Sequence, residues 1–244
     1  MAGCGDGGRG DADAVAAEVV GHFLRSSRHA IFIEGIDASG KTRFARRVVA
    51  SLRKAGKRAR LVKADYFLID RDKRIRNGAS SWRSYLNSWF DFRRMREEIL
   101  VPFFSNQDVK KEILVYSEAR GKVDRPHRVS VARNDVLVVE GVFLSNSLLK
   151  KFPAYRVVMH VPFRISLERQ VRREPRTRKI SGPEAAFRWE NWHLPAQKRY
   201  MARHKPESIA DVVIDNSDYH SPCIAKMGGD ALKRDLKVGG QIRA

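Results

Sequence analysis

The sequence has only two cysteines, Cys4 and Cys223, in 244 residues. Two thiols cannot build a disulfide scaffold, and their scarcity suggests a reducing compartment. No apolar run approaches the ~20 residues that a membrane-spanning helix needs. The longest, Ala30–Ile33 and Val136–Val139, are the size of strands. No apolar stretch follows a basic start at the N-terminus, so no secretory signal is visible. Asp6, Asp11 and Asp13 against a single Arg9 argue against a transit peptide. Cytoplasmic localisation, with no membrane partner, is the expectation. There is no Cys/His metal spacing, no Ser-His-Asp set and no internal repeat. Acidic residues are also short, with 28 Asp+Glu against 48 Lys+Arg and a net charge of +20. A surplus of that size predicts anionic partners without choosing between nucleic acid, a membrane surface and a phosphorylated small molecule. With 43% apolar residues the chain can still build a core, so a mostly disordered protein is excluded.

The apolar pattern alternates between strand and helix. Residues 1–12 read as a disordered Gly-rich tail, 13–220 as one domain and 221–244 as a weakly structured C-terminal tail. A helix face follows Ala14, and buried strands are expected at 30–33, 59–64, 113–116, 136–139, 156–161 and 212–214. Helices are expected at 41–55, 82–100, 144–151, from Pro162 to about Arg173, and at 184–204 with an interruption at Pro195. Segments 70–81 and 172–182 read as loops, and 121–127 as a turn. Strands that are apolar throughout, separated by helices, predict an α/β fold: a parallel sheet flanked by helices on both faces. A helical insertion and a basic lid at about 172–182 complete the expectation.

Gly35-Ile36-Asp37-Ala38-Ser39-Gly40-Lys41-Thr42 fits G-x-x-x-x-G-K-[ST] without a mismatch, with a buried strand before it and a helix after it. Glycines let the backbone wrap a phosphate, and the helix N-terminus adds its positive end. Gly35, Asp37, Ala38, Ser39, Gly40, Lys41, Thr42 and Arg43 are therefore the candidate nucleotide-binding residues. Lys41 would reach the terminal phosphates, and the Thr42 hydroxyl would bind Mg²⁺. By itself the motif implies only that a nucleoside triphosphate binds. Two acids end strands on the same edge, Asp65 and Glu140. One acid there can serve a magnesium shell and the other can take a proton from an attacking hydroxyl. A turn residue and a buried ion pair are the plainer alternatives. Residues 164–179 carry seven cations. Arg169 and Arg173, four apart, share a helix face and are the candidates for contact with a transferring phosphate. Trp82, Trp89, Trp189 and Trp192 fall in two segments that could wall an acceptor pocket or simply pack the core. His127, near Arg125 and Arg128, could touch an acceptor, and His193 reads as a packing or lid residue.

Over about residues 28–216 the chain resembles the uridine kinase-like branch of P-loop small-molecule kinases, which includes nucleoside kinases, phosphoribulokinase and pantothenate kinase. The resemblance rests on the segment from Ile33 to Thr42, Asp65-Tyr66-Phe67, Trp89-Phe90-Asp91, Tyr116, Val138-Val139-Glu140-Gly141, Arg169 with Arg173, the segment from Ala210 to Asn216, and the segment from Asn191 to Tyr200. It implies transfer of the γ-phosphate of ATP to the hydroxyl of a small molecule, a nucleoside first. It also implies that Asp65 is the base, that Thr42 and Glu140 serve Mg²⁺, that Arg173 is a lid arginine, and that Tyr66 and Tyr116 lie at the acceptor. Two family features are absent. Ser84–Trp89 stands where nucleoside kinases carry Asp-His-Pro, and Ser117-Glu118 replaces an Asp-Phe pair, so ribose and base recognition do not carry over. Ribosylnicotinamide, pantothenate-like and sugar-phosphate acceptors stay open. The alternative class is a nucleic-acid-binding NTPase or polynucleotide kinase, which the dispersed cations do not favour. The sequence leaves the oligomeric state open.

Overall fold

A computed structural model describes residues 11–76, 81–177 and 180–228, without the side chains of 75, 76 and 177. The expected N-terminal tail up to residue 10, part of the 172–182 segment and the chain beyond 228 lie outside the described residues. The strands are β1 (Ala30–Gly35), β2 (Ala59–Lys63), β3 (Val109–Ser117), β4 (Lys122–Val131), β5 (Val136–Gly141), β6 (Tyr155–His160), β7 (Val212–Asp215) and β8 (Cys223–Met227). The helices are α1 (Ala12–Leu24), α2 (Lys41–Lys54), α3 (Arg71–Arg76), α4 (Trp82–Ser88), α5 (Phe92–Met95), α6 (Val101–Phe104), α7 (Phe163–Thr177), α8 (Gly182–Arg188), α9 (Leu194–His204) and α10 (Pro206–Ile209). No helix among the described residues is long and apolar enough to cross a membrane.

The main sheet runs β2-β5-β1-β6-β7-β8. Its first five strands are parallel, and β8 pairs antiparallel with β7. Both β1 and β5 are buried along their whole length, as strands covered on two faces must be. Alternate residues divide between two cores. Ile31, Ile33, Val138 and Val157 meet Val19, Phe23, Phe44, Val48 and Leu52 of α1 and α2 on one face. Phe32, Val62, Leu137 and Val139 meet Met95, Ile99, Leu100 and Phe103 on the other, together with Ile113, Val115 and Val129. The basic helix α2 can lie there because Phe44, Ala45, Val48, Val49 and Leu52 form its buried face. Each large apolar side chain so buried contributes ~1.5–3 kcal/mol.

Several expectations change. The second tail is ordered up to 228, because β8 covers the edge of β7. The segment read as a loop at 70–81 contains α3. The single helix expected at 82–100 is broken at Trp89–Asp91, where Phe90 bridges to Leu68. It restarts at Phe92 with the Asp91 side chain accepting from the Arg94 N–H at 2.9 Å. It then passes through a wide π turn (Arg96–Leu100) that leads into α6, whose first turn accommodates Pro102. Strand 113–116 is the middle of a longer antiparallel hairpin, and the turn expected at 121–127 is its return strand. No helix forms over 144–151, where the chain turns on Asn146. Helix α7 continues through 172–177, half of the expected loop, with Pro175 inside it. The break expected at Pro195 is instead a π turn (Trp189–His193) that joins α8 to α9, and Pro195 sits in the first turn of α9.

At the last residue of β6, His160 Nδ1 lies 2.7 Å from Glu207 Oε1 of α10. The hydrogen bond to Glu207 raises the His160 pKa above 6.5, and the same bond lowers that of Glu207 below 4.5. The charged pair exists only where both groups are ionised. Its contribution is present above the ordinary glutamate value and below the ordinary histidine value, and is lost on either side. Urea denaturation of the wild type and Glu207→Gln across pH should show the wild type's advantage between about pH 4.5 and 6.5, shrinking at pH 9.

Candidate active site

The phosphate loop leaves β1 at Gly35 and enters α2 at Lys41. Gly35 is held between layers: a Cβ there would stand 2.8 Å from the Met159 carbonyl. Gly40 adopts φ 90°, a conformation open to glycine, and its α-carbon faces the Asn216 amide. Asn216, just past β7, donates to the Ser39 carbonyl at 2.7 Å. Lys41 Nζ folds back onto the Ile36 carbonyl at 3.2 Å. The Ser39 hydroxyl is buried and has no hydrogen-bond partner.

Asp37 is the most heavily bonded side chain of the loop. Its Oδ2 accepts from the Tyr85 hydroxyl at 2.7 Å, from Gln197 Nε2 at 2.6 Å, and lies 2.9 Å from His193 Nδ1. Its carbonyl accepts from the Ser166 hydroxyl. Burial alone would raise the Asp37 pKa. The bond and charge of His193, the charge of Lys41 and the Tyr85 hydroxyl hold it well below the carboxylate range instead. Asp37, expected as a nucleotide contact, thus also anchors α4, α7, the π turn at Trp189–His193 and α9 to the loop. Sequence reading missed Tyr85, Ser166 and Gln197. The one signal available was the spacing of His193 and Gln197, four residues apart.

Glu140 ends β5 beside the loop, since β1 and β5 pair in register as far as Glu34 and Gly141. The Thr42 hydroxyl donates to its carboxylate, 3.1 Å from each oxygen. Burial raises the Glu140 pKa, Lys41 lowers it and Asp65 raises it. A buried carboxylate beside a hydroxyl and a second acid, with Lys41 and Lys63 to balance them, is a hard-oxygen donor set. Mg²⁺ suits it, since that ion takes few protein ligands and completes its shell with water and phosphate. Asp65 lies on the short 3₁₀ turn (Ala64–Phe67) after β2 and is exposed. Gly141 lets that turn approach, because a Cβ there would strike Ala64.

The expected acceptor residues separate. Tyr66 and His127 lie against each other with ring centroids 4.4 Å apart and planes tilted by 47°, and burial with the charges of Arg125 and Lys63 lowers the His127 pKa. Tyr116 lies elsewhere, against Arg74. The two lid arginines differ as well. Arg169 spans the Ala38 carbonyl at 3.4 Å and the Asn216 and Ser217 carbonyls at 2.8 and 3.1 Å, so it ties α7 to the loop. Arg173 donates to Gln170 at 2.5 Å and pairs with Glu174 at 2.8 Å. Both arginines border a cavity of about 640 Å³ over Gly40, Lys41 and Thr42. Tyr219 closes one side of it, with the Arg43 guanidinium 4.6 Å and the Arg169 guanidinium 5.3 Å from its ring centre. A second cavity, about 330 Å³, lies across α7 and is bordered by Gln170, Glu174, Trp89, Tyr116 and His193.

The fold has counterparts among solved structures. The uridine kinase candidate from Bacillus stearothermophilus superposes with a TM-score of 0.64 at 19% identity, covering 82% of this chain and 97% of that one. The candidate fructose transport system kinase from Silicibacter sp. TM1040 gives 0.60 at 18% identity, over 77% of this chain and 94% of that one. A circularly permuted candidate P-loop kinase from Saccharomyces cerevisiae gives 0.53 at 11% identity, over 80% and 96%. The fold is that of the P-loop kinases. No family model matches the sequence, and no curated protein matches it.

Replacing Asp37 by Ala would leave the Tyr85, His193 and Gln197 donors without their shared acceptor. A loss of about 2–4 kcal/mol of unfolding free energy is expected, read by urea denaturation. Asp37→Asn, which keeps one acceptor oxygen, should lose less.

Proposed function

We propose that the protein is an ATP-dependent kinase that moves the γ-phosphate of MgATP to a hydroxyl of a small molecule. The observation that carries this reading is the juxtaposition, at one sheet edge, of the phosphate loop, the Thr42–Glu140 contact and Asp65, with a second cavity across α7. The P-loop kinase fold of the solved neighbours supports it.

The phosphate loop amides and Lys41 hold the triphosphate in the larger cavity, with the basic face of α7 above it. Thr42 and Glu140 would hold Mg²⁺, which would supply charge neutralisation on the phosphate oxygens. Asp65 orients the acceptor hydroxyl and takes its proton. The acceptor oxygen forms the new P–O bond as the bond between the γ-phosphorus and the bridging oxygen breaks, and ADP leaves with that electron pair. Arg173 borders the larger cavity, and leaving Gln170 and Glu174 would let it meet charge as it develops. Arg169 serves as a positioning residue through the Ala38 carbonyl. The smaller cavity takes the acceptor. Resemblance to nucleoside kinases places a nucleoside first, while Tyr66 and His127 mark the hairpin side of Asp65 as a further contact surface.

A coupled ADP-release assay over nucleosides, ribosides, sugar alcohols, sugar phosphates and hydroxy acids tests the activity. Lys41→Ala should lower kcat at least ~10³-fold. Asp65→Asn should lower kcat about 10²- to 10⁴-fold while leaving the Kd for ATP nearly unchanged. Near wild-type kcat in Asp65→Asn would remove Asp65 from the role of base.

A further inference from the structure

Arg74 lies in α3, within a stretch that the sequence presents as an unremarkable polar loop. The structure buries it to 8% exposure. Its guanidinium stands 4.7 Å from the Trp89 ring centre and 4.6 Å from that of Tyr116. Stacking of this kind holds the group flat and leaves its edge for hydrogen bonds. That edge is only partly satisfied within the fold, where the Tyr116 hydroxyl supports it. Arg74 Nε is buried without a hydrogen-bond partner, and so is the indole Nε1 of Trp89. No carboxylate among the described residues forms an ion pair with Arg74.

Arg156, equally buried, behaves differently. It donates to the carbonyls of Leu149, Lys150 and Phe152. A buried arginine that serves the fold finds acceptors in the fold, whereas the fold supplies Arg74 with aromatic faces. Burial works against its charge, the Tyr116 hydroxyl and Glu118 support it, and Arg71 opposes it.

Arg74, Trp89 and Tyr116 border the 330 Å³ cavity across α7 from the phosphate loop, and Arg71 and Arg188 border it as well. Two carboxylates also reach it. Glu174 is ion-paired to Arg173; Glu118 is exposed, and its carbonyl accepts from Arg71 at 3.2 Å. The wall therefore offers a stacked, desolvated cation and a surplus of donors, a setting matched by a compact oxyanion and poorly matched by a neutral group. The cavity also adjoins the phosphate loop, because His193 lines it while bonding Asp37.

We infer that the phosphate acceptor is an anion: a hydroxyl-bearing small molecule whose carboxylate or phosphate docks on Arg74. This rests on the kinase reading above and narrows it, moving the acceptor from neutral nucleosides to hydroxy acids or sugar and polyol phosphates. Arg74 binds substrate and takes no part in the bond-making step.

The full chain with MgATP should turn over one anionic class in preference to neutral nucleosides and polyols; comparing hydroxy acids with sugar phosphates tells which oxyanion it is. For that acceptor Arg74→Gln should raise KM about 10- to 100-fold, the worth of a hydrogen bond to a charged group, with the KM for ATP unchanged. Arg74→Lys, which keeps the charge without the planar fork, should lie between. It also serves if the glutamine variant does not fold, with the ATP-induced rise in Tm reporting a folded site. A neutral nucleoside turned over with kcat/KM at or above the anionic acceptors, or an acceptor KM indifferent to both variants, overturns the inference while leaving the kinase reading standing. No turnover of any acceptor by a chain that binds ATP counts against the kinase reading. In that case Tm shifts with the same compounds in the absence of ATP decide the inference. A rise with anionic compounds that Arg74→Gln abolishes supports it, and no rise with any of them contradicts it.

Discussion

The structure depends on one shared carboxylate. Asp37 sits in the phosphate loop, largely shielded from water with its side chain 18% exposed, and stays ionised because Tyr85, His193 and Gln197 all point their polar atoms at it. A desolvated charge tolerates no missing partner, so the elements that carry those partners are fixed relative to the loop. Tyr85 brings α4, His193 the π turn, and Gln197 α9. Ser166 adds α7 through the backbone carbonyl of the same residue. The elements that wall the second cavity are thereby indexed to the loop that would hold ATP. Phosphoryl transfer asks for little covalent chemistry and much positioning. A rigid link between the nucleotide loop and the acceptor wall is what such a reaction needs.

Helix α7 divides the charge between the two cavities. Arg169, Arg172, Arg173 and Arg176 face the phosphate-loop side, while Gln170 and Glu174 face the other. Arg173 lies on the boundary, bonded to both of the residues on the far side. Under the proposed function the large positive net charge has two local uses, one over the phosphate loop and one around Arg74. The many cations on the outer faces of α2 and the hairpin serve neither, and nothing in their placement requires nucleic acid.

The sheet was legible because its strands are apolar on both faces. Val136–Val139 and Ala30–Ile33 admit few other readings, and the phosphate loop followed from an eight-residue pattern in the right context. Thr42 and Glu140 were paired in advance only through the family resemblance; the structure joins them because α2 begins and β5 ends at the carboxyl edge of the adjacent strands β1 and β5. The hairpin was harder to see. Lys122–Val131 contains Pro126, Arg125 and Arg128, and only half of each strand faces the core, so the apolar signal was diluted. The π turns were invisible because a wide turn keeps helical composition and shifts only the phase. Arg74 was hidden for a different reason. Its neighbours Trp89 and Tyr116 come from distant segments, and a lone arginine in a polar stretch looks like surface. The tail was misjudged because β8 is a short edge strand whose order comes from pairing with β7 rather than from its own sequence.

The central claim is that the phosphate loop, Thr42 and Glu140 form a MgATP site. Calorimetric titration of ATP into the wild type and Glu140→Gln, with Mg²⁺ and with EDTA, tests it most directly. The account predicts that Mg²⁺ tightens ATP binding in the wild type, and that most of this gain disappears in Glu140→Gln while metal-free binding persists. Equal affinities with and without Mg²⁺, or a Glu140→Gln variant with the full Mg²⁺ dependence, would contradict it.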